Sequence, residues 1–259
     1  MGKLKELLES TDYLILDGAL GTELENRGHD VSGKLWSAKY LLENPQIIQE
    51  LHEDYLRSGA DIVTTSSYQA TVQGLEDYGL SEKEALDTIV LTVELAKNAR
   101  QNFWQSLSDD EKKKRVYPLI AGDVGPYAAY LADGSEYTGD YQLSKESFKD
   151  FHRSRIQTLL AAGSDFLAIE TIPNMTEATA LVELLADEFP DTEAYMSFTA
   201  QDSQSISDGT LMTEVAKLCD SSKQILAFGI NCSRPAIISD LLKARPVSYT
   251  HLRAHETLA

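Results

Sequence analysis

The chain has 259 residues, 42% hydrophobic and 25% charged, an ordinary composition for a globular protein large enough to bury a substantial core. Its 41 Asp and Glu against 23 Lys and Arg leave a formal charge of -18, which works against binding to nucleic acid or anionic membrane surfaces. No apolar run approaches the ~20 residues that cross a bilayer, and the amino-terminal MGKLKELLES lacks the apolar core and cleavage site of a secretory signal. Glu6 stands where myristoylation at Gly2 would want Ser or Thr. Cys219 and Cys232 are too few for a disulfide framework, so a reduced, cytoplasmic protein is expected.

In chain order, apolar and β-branched runs predict strands at 13–20, 61–68, 116–124, 165–172, 193–199 and 225–232. Helical periods fall between them at about 44–58, 81–101, 144–162, 175–189 and 211–220, with a further helix starting near Pro235. Asn44 before Pro45 reads as an N-cap with proline at the first helical position. Ser81 with Glu84 reads as a capping box, and Asn174 with Glu177 as a weaker one. Gly59 and Gly163 fall where a left-handed residue would end a helix before the next strand. The alternation predicts repeated βα units on a parallel sheet, in one domain, and leaves open a doubly wound sheet or part of an eight-stranded barrel. The segment 246–259, PVSYTHLRAHETLA, has no clear period and resembles translated adaptor read-through. It is expected to be a non-native tail beyond Arg245, leaving the neighbouring sheet edge unpaired.

Ligands of parallel βα proteins bind at the carboxyl ends of strands, so the strand ends carry the functional reading. After the first strand, Gly18 and Ala19 are small enough for backbone N–H groups to approach an anion such as an amino-acid carboxylate, and Asp17 is placed to orient an amine. The same residues would also make a tight turn with an Asp cap. The second strand ends in Thr64-Thr65-Ser66-Ser67-Tyr68, offering hydroxyls and a ring. The third opens a tyrosine-rich loop reaching Tyr141, with rings that can flank a cation or pack as a lid; packing is expected for most. Glu170 follows an apolar run, where a carboxylate needs a substrate ammonium or a salt bridge. Cys232, beside Asn231 at the sixth strand's end, reads as a metal thiolate or a small hydrophobe, whereas Cys219 within a helix reads as core.

The ordered set LDGALGTEL, LWSAKYLLENP, TTSSYQA, AGDVGPYAAYLADGSEYTGDY, AIETIPN, SFTAQDSQSISDGT and FGINCSRP resembles the homocysteine S-methyltransferase family over residues 14–244. WSAKYLLENP, SSYQA and YLADGSEY are most similar to its stand-alone bacterial branch, which takes a methyl group from S-methylmethionine. The resemblance implies an α/β fold, a (β/α)8 TIM-type barrel with about six of its eight βα units present in residues 1–245. It implies a zinc site at the carboxyl face, with Cys232 matching the first thiolate. Asp17, Gly18 and Glu170 match positions that hold the amino and carboxylate groups of homocysteine, and Ala19 and Tyr68 are counted beside them as substrate-binding. The family's other two thiolates form a Cys-Cys pair in a Gly-Gly-Cys-Cys motif, and this sequence has no such pair.

The implied reaction is zinc-dependent transfer of a methyl group from S-methylmethionine, or S-adenosylmethionine, to homocysteine, giving methionine. Zinc would deprotonate the thiol, so no catalytic residue beyond the metal site is required. The implied partners are those small molecules, with neither nucleic acid nor membrane. With two thiolates missing, the chain is expected to be an impaired fragment. The competing reading is a partial barrel without activity that at most binds an amino acid. A barrel of the aldolase kind would want a lysine at a strand end, and none of the six ends carries one.

Overall fold

A computed structural model of the chain describes residues 2–32, 36–243 and 252–254. The Cα framework divides into two compact units, residues 1–123 with 155–166, and residues 124–154 with 167–259. No described helix is long and apolar enough to cross a membrane.

The first unit runs α1 (Lys3–Ser10), α2 (Leu20–Asn26), α3 (Lys39–Glu43), α4 (Pro45–Ser58), β1 (Ile62–Thr64), α5 (Val72–Asp77), α6 (Glu82–Ser106), α7 (Asp109–Lys112) and β2 (Leu119–Val124). β1 and β2 pair in parallel from Ile62–Leu119 to Thr64–Ala121. The strand expected at 13–20 is reduced to one parallel bridge, Leu16 to Ile62. Tyr13 and Ile15 are exposed there, Asp17 turns its carboxylate onto Thr64, and Leu20 already belongs to α2. Asn44 stands at the N-cap position with Pro45 first in α4, as expected, although the Asn44 side chain makes no capping hydrogen bond. Gly59, at φ +119°, ends α4 as expected. The Ser81–Glu84 capping box is formed, and α6 runs to Ser106 instead of stopping at 101. Phe103 explains the extension, because it packs into a core cluster with Leu56, Val63, Ala96 and Ile120.

The second unit contains α8 (Tyr127–Leu131), much of α9 (Lys145–Ala162), β3 (Phe166–Ile172), α10 (Met175–Glu188), β4 (Ala194–Phe198), α11 (Met212–Ser221), β5 (Ile225–Ile230), α12 (Pro235–Lys243) and β6 (Leu252–Ala254). β3, β4, β5 and β6 pair in that order, all parallel. All five residues of β4 are buried, as expected for a parallel strand covered on both faces. The tail therefore contributes three residues to the sheet: Leu252, Arg253 and Ala254 pair with Phe228, Gly229 and Ile230. This corrects the expectation that the edge beside β5 would be left bare. The proposed boundary at Arg245 and the remainder of 246–259 lie outside the described residues.

Asn174 caps α10 by accepting from the N–H groups of Thr176 and Glu177. Glu177 does not return the bond. Its fully buried carboxylate instead accepts from the Tyr127 N–H at 2.7 Å and the Tyr141 hydroxyl, and meets His152 Nε2 at 2.7 Å. These partners make burial of a carboxylate tolerable, and they pin the tyrosine-rich loop. Tyr127 also stacks edge-on against Phe151, with ring centroids 4.9 Å apart. Most of this loop's rings are packing, as expected.

Two buried groups in the first unit set measurable properties. His52 in α4 is buried, and neither ring nitrogen has a hydrogen-bond partner among the described residues. Burial lowers its pKa from the ordinary imidazole range to about 4. The unfolded chain then takes up a proton below about pH 6.5 that the folded chain refuses, so stability is complete above that pH and falls between about 6.5 and 4. Urea unfolding at pH 7.5 and 4.5 should show a loss from this residue approaching ~3 kcal/mol, absent in His52→Leu. Equal pH dependence in both proteins would contradict the assignment.

Gly18 lies so close to Tyr55 that an added Cβ would sit 2.6 Å from the ring, and the Tyr55 hydroxyl donates to the Ala19 carbonyl. Burial, then the charges of Glu23 and Asp17, push that hydroxyl to about 12. Gly18→Ala should cost about 1–3 kcal/mol in urea unfolding, and less in a Tyr55→Ala background. A Gly18→Ala protein as stable as the parent would show that the ring yields freely.

Candidate active site

The candidate residues of the first unit cluster after the Leu16 bridge and after β1. Asp17 is buried, and its carboxylate accepts from the Thr64 N–H and the Thr64 hydroxyl, each at 2.8 Å. Its own N–H donates to the Ile62 carbonyl. Asp17 is thus fixed at a strand's carboxyl end, and Gly18 and Ala19 lead directly into α2. The hydroxyls of Thr64, Thr65 and Ser67 at the second strand end are engaged internally, whereas the buried Ser66 hydroxyl has no hydrogen-bond partner among the described residues. Thr65 and Ser67 bond one another at 2.8 Å, Ser67 donates to the Asp123 carbonyl, and the Asp123 N–H donates to Thr65. They lock the segment after β1 to the end of β2. Tyr68 follows them, half-buried, with its carbonyl accepting from Arg155.

In the second unit the site forms where β3 departs from regular pairing. The β3–β4 register shifts between Ile169 and Ile172, and Thr171 takes a left-handed backbone, φ +64°. A β-branched residue rarely adopts that conformation, and a bulge of this kind re-aims the side chains beside it. Glu170 lies in the irregular stretch, half-buried, and accepts a hydrogen bond from the Tyr195 hydroxyl. The Thr171 N–H donates to the Ser197 hydroxyl of β4 at 3.3 Å instead of to a ladder carbonyl.

Just past β5, the Asn231 N–H donates to the Phe198 carbonyl, and its side-chain amide donates to the Thr171 hydroxyl at 2.9 Å. Cys232 follows, also left-handed at φ +48°, with Sγ 3.9 Å from Thr171 Oγ1. Because Oγ1 accepts from Asn231, its own hydrogen is available for the sulfur. The structure therefore brings Cys232 to the residue that follows Glu170, and its thiol is partly accessible. Cys219 is buried in α11, and burial raises its thiol well above the ordinary range, so its core reading holds.

Sequence reasoning missed Thr64, Thr171 and Tyr195 as partners of these groups. Thr64 and Thr171 stood inside quoted motifs, but only pairing between strands reveals what they hold. Among the described residues no group of three His, Cys, Asp or Glu side chains is arranged to hold a metal ion. One thiolate with hydroxyl and amide neighbours does not fit a structural or catalytic zinc site, which takes three or four protein ligands. The second unit also has a polar cleft of about 750 Å³, lined by Asp140, Tyr141, Asn174, Gln201 and Asp208 among others.

The family model for homocysteine S-methyltransferase matches residues 14–256. The chain is 46% identical to the Bacillus subtilis homocysteine S-methyltransferase YbgG, over 94% of this chain and 78% of that protein. It is 49% identical to the Escherichia coli homocysteine S-methyltransferase, over 88% of this chain and 72% of that one. The metallated form of the Escherichia coli homocysteine methyltransferase MmuM superposes with a TM-score of 0.89 at 45% identity, covering 98% of this chain and 86% of that structure. The fold is α/β, a TIM-type barrel that is incomplete here. With nearly the whole chain matched, it belongs to the homocysteine S-methyltransferase family.

Proposed function

We propose that this chain binds homocysteine and S-methylmethionine and serves transfer of a methyl group between their sulfurs, giving methionine. The observation that carries the reading is Cys232, a partly accessible thiol held at the carboxyl end of β5 beside the Thr171 hydroxyl and close in the fold to Glu170. In the reaction the acceptor sulfur forms a bond to the donor's methyl carbon as the old S–CH3 bond breaks. The acceptor thiol loses its proton and the donor departs as a neutral thioether. Such a displacement needs alignment of the two sulfurs more than proton transfer during the step. Asp17, Gly18 and Ala19 in the first unit, and Glu170 in the second, are the groups we assign to the amino and carboxylate ends of homocysteine, and we count Tyr68 as substrate-binding with them. The substrates are small molecules, and we place the reaction in the cytoplasm.

Zinc is the metal we assign to the family's reaction, where it supplies an acidic centre that keeps a thiol ionised. Among the described residues Cys232 is the one ligand we assign to the metal, so no step of this chain is routed through it. The test compares the 259-residue chain with a fusion to the carboxyl-terminal segment of the Bacillus subtilis relative, measuring bound zinc and methionine formation with S-methylmethionine or S-adenosylmethionine as donor. Loss of even a ligand's supporting partner typically costs ~10–100-fold, so the unextended chain should hold little zinc and turn over at least ~100-fold more slowly. Cys232→Ser should abolish both in the fusion. Stoichiometric zinc with full turnover in the 259-residue chain would refute the ligand argument. An active fusion indifferent to Cys232→Ser would refute the role of Cys232.

A further inference from the structure

One carboxylate near Cys232 is not used by the assignments above. Ser135–Tyr137 forms a single 3-10 turn that follows Gly134 in a left-handed backbone, φ +86°. Its seat is fixed by the segment that follows β4. The Thr199 hydroxyl donates to the Glu136 carbonyl at 2.8 Å, and the Ser207 hydroxyl donates to Thr199 at 2.9 Å, both side chains being buried. The Ser135 N–H donates to Asp133, bracing the turn from its other side.

The side chain of Glu136 is half-buried on this seat. Its Oε2 is out of contact with water and has no hydrogen-bond partner among the described residues. Burial raises its carboxyl pKa above the ordinary value, and Asp133, a like charge, adds to the rise. Next in sequence, Tyr137 exposes much of its ring. Its hydroxyl is raised first by partial burial, then by the negative charges that Cys232 and Glu136 can carry. The geometry agrees: the Thr199 hydroxyl holds the Glu136 carbonyl, and the next residue's N–H, that of Ala200, donates at 2.9 Å to the hydroxyl of Ser233, which follows Cys232, so Glu136, Tyr137 and Cys232 share one neighbourhood past the carboxyl ends of β4 and β5.

A carboxylate oxygen withdrawn from water without a donor is costly, and a cation relieves that cost. Of the two substrates assigned above, only the methyl donor carries a positive sulfur. A sulfonium has no N–H or O–H to give, so its recognition falls to negative charge and to aromatic faces. Glu136 and the exposed Tyr137 ring supply one of each beside the candidate site thiol.

We propose that Glu136 is a donor-specificity residue whose carboxylate faces the sulfonium of S-methylmethionine, with the Tyr137 ring beside it. The inference rests on the methyl-transfer reading and names which group distinguishes the charged donor from its neutral product. The donor's charge fades as its methyl leaves, so this contact belongs to donor binding rather than to stabilisation of the transition state. An α-ammonium would satisfy the same oxygen, and methionine separates the two cases because it keeps the amino and carboxylate groups but lacks the sulfonium.

The experiment is calorimetric titration of the 259-residue chain, Glu136→Gln and Glu136→Asp with S-methylmethionine and with methionine, after thermal unfolding has shown the variants folded. Glu136→Gln should weaken S-methylmethionine by about tenfold or more and leave methionine unchanged, with Glu136→Asp between it and the parent. Equal loss for both ligands would assign Glu136 to the ammonium and overturn the proposal, as would no loss for either. A parent chain that binds methionine as tightly as S-methylmethionine also overturns it while leaving the amino-acid site standing. A parent chain that binds neither removes the methyl-transfer reading itself.

Discussion

The hydrogen bond from the Asn231 amide to the Thr171 hydroxyl is the constraint on which the second unit's site depends. It reaches from just past β5 to β3 across the end of β4, and it joins two places where the chain is left-handed without glycine. Each such residue costs on the order of 1–2 kcal/mol, so neither conformation persists without support. The support comes from β4, where the Ser197 hydroxyl takes the Thr171 N–H and the Phe198 carbonyl takes the Asn231 N–H. Three parallel strands therefore end in one braced corner. Its product is a sulfur beside a hydroxyl, with Glu170 in the adjoining bulge.

The same economy governs the surrounding polar groups, which divide into those that hold the frame and those left for chemistry. Thr65, Ser67 and the backbone of Asp123 close on each other, and Glu177 binds Tyr127, Tyr141 and His152. Thr65 and Ser67 look functional in sequence because they are polar and follow a strand, whereas Glu177 and His152 lie within α10 and α9. They fix loops, which is the work a rigid scaffold does before any ligand arrives. Asp17, which we assign to the substrate ammonium, is itself immobilised at a strand end by Thr64.

Much of the fold was legible because its helices are long and clearly punctuated. The pattern placed Pro45–Ser58, Lys145–Ala162 and Met175–Glu188 within a residue or two of their ends. The first strand was not legible, since apolar 13–16 looks like a buried strand whether or not its hydrogen bonds form a ladder; here one bridge forms, with Tyr13 and Ile15 turned to solvent. The short helices Lys3–Ser10 and Tyr127–Leu131 carry too few turns for a periodic signal. In sequence, Asp17, Glu170 and Cys232 were singled out only by their place near strand ends. The bulge at Thr171 was invisible, because a β-branched residue gives no sequence signal for a left-handed backbone. The exchange of Glu177 from capping to a buried cluster was also hidden, since its partners lie up to 50 residues away in sequence.

The central claim is that the braced corner presents one thiol for reaction and that the other cysteine is only packing. Mass-spectrometric timing of iodoacetamide labelling on the folded chain at neutral pH tests it most directly, because both thiols report from one sample. The account predicts that Cys232 is labelled first, with Cys219 at least ~100-fold slower until the chain is unfolded. Labelling of Cys219 at a comparable rate, or ahead of Cys232, would contradict the account.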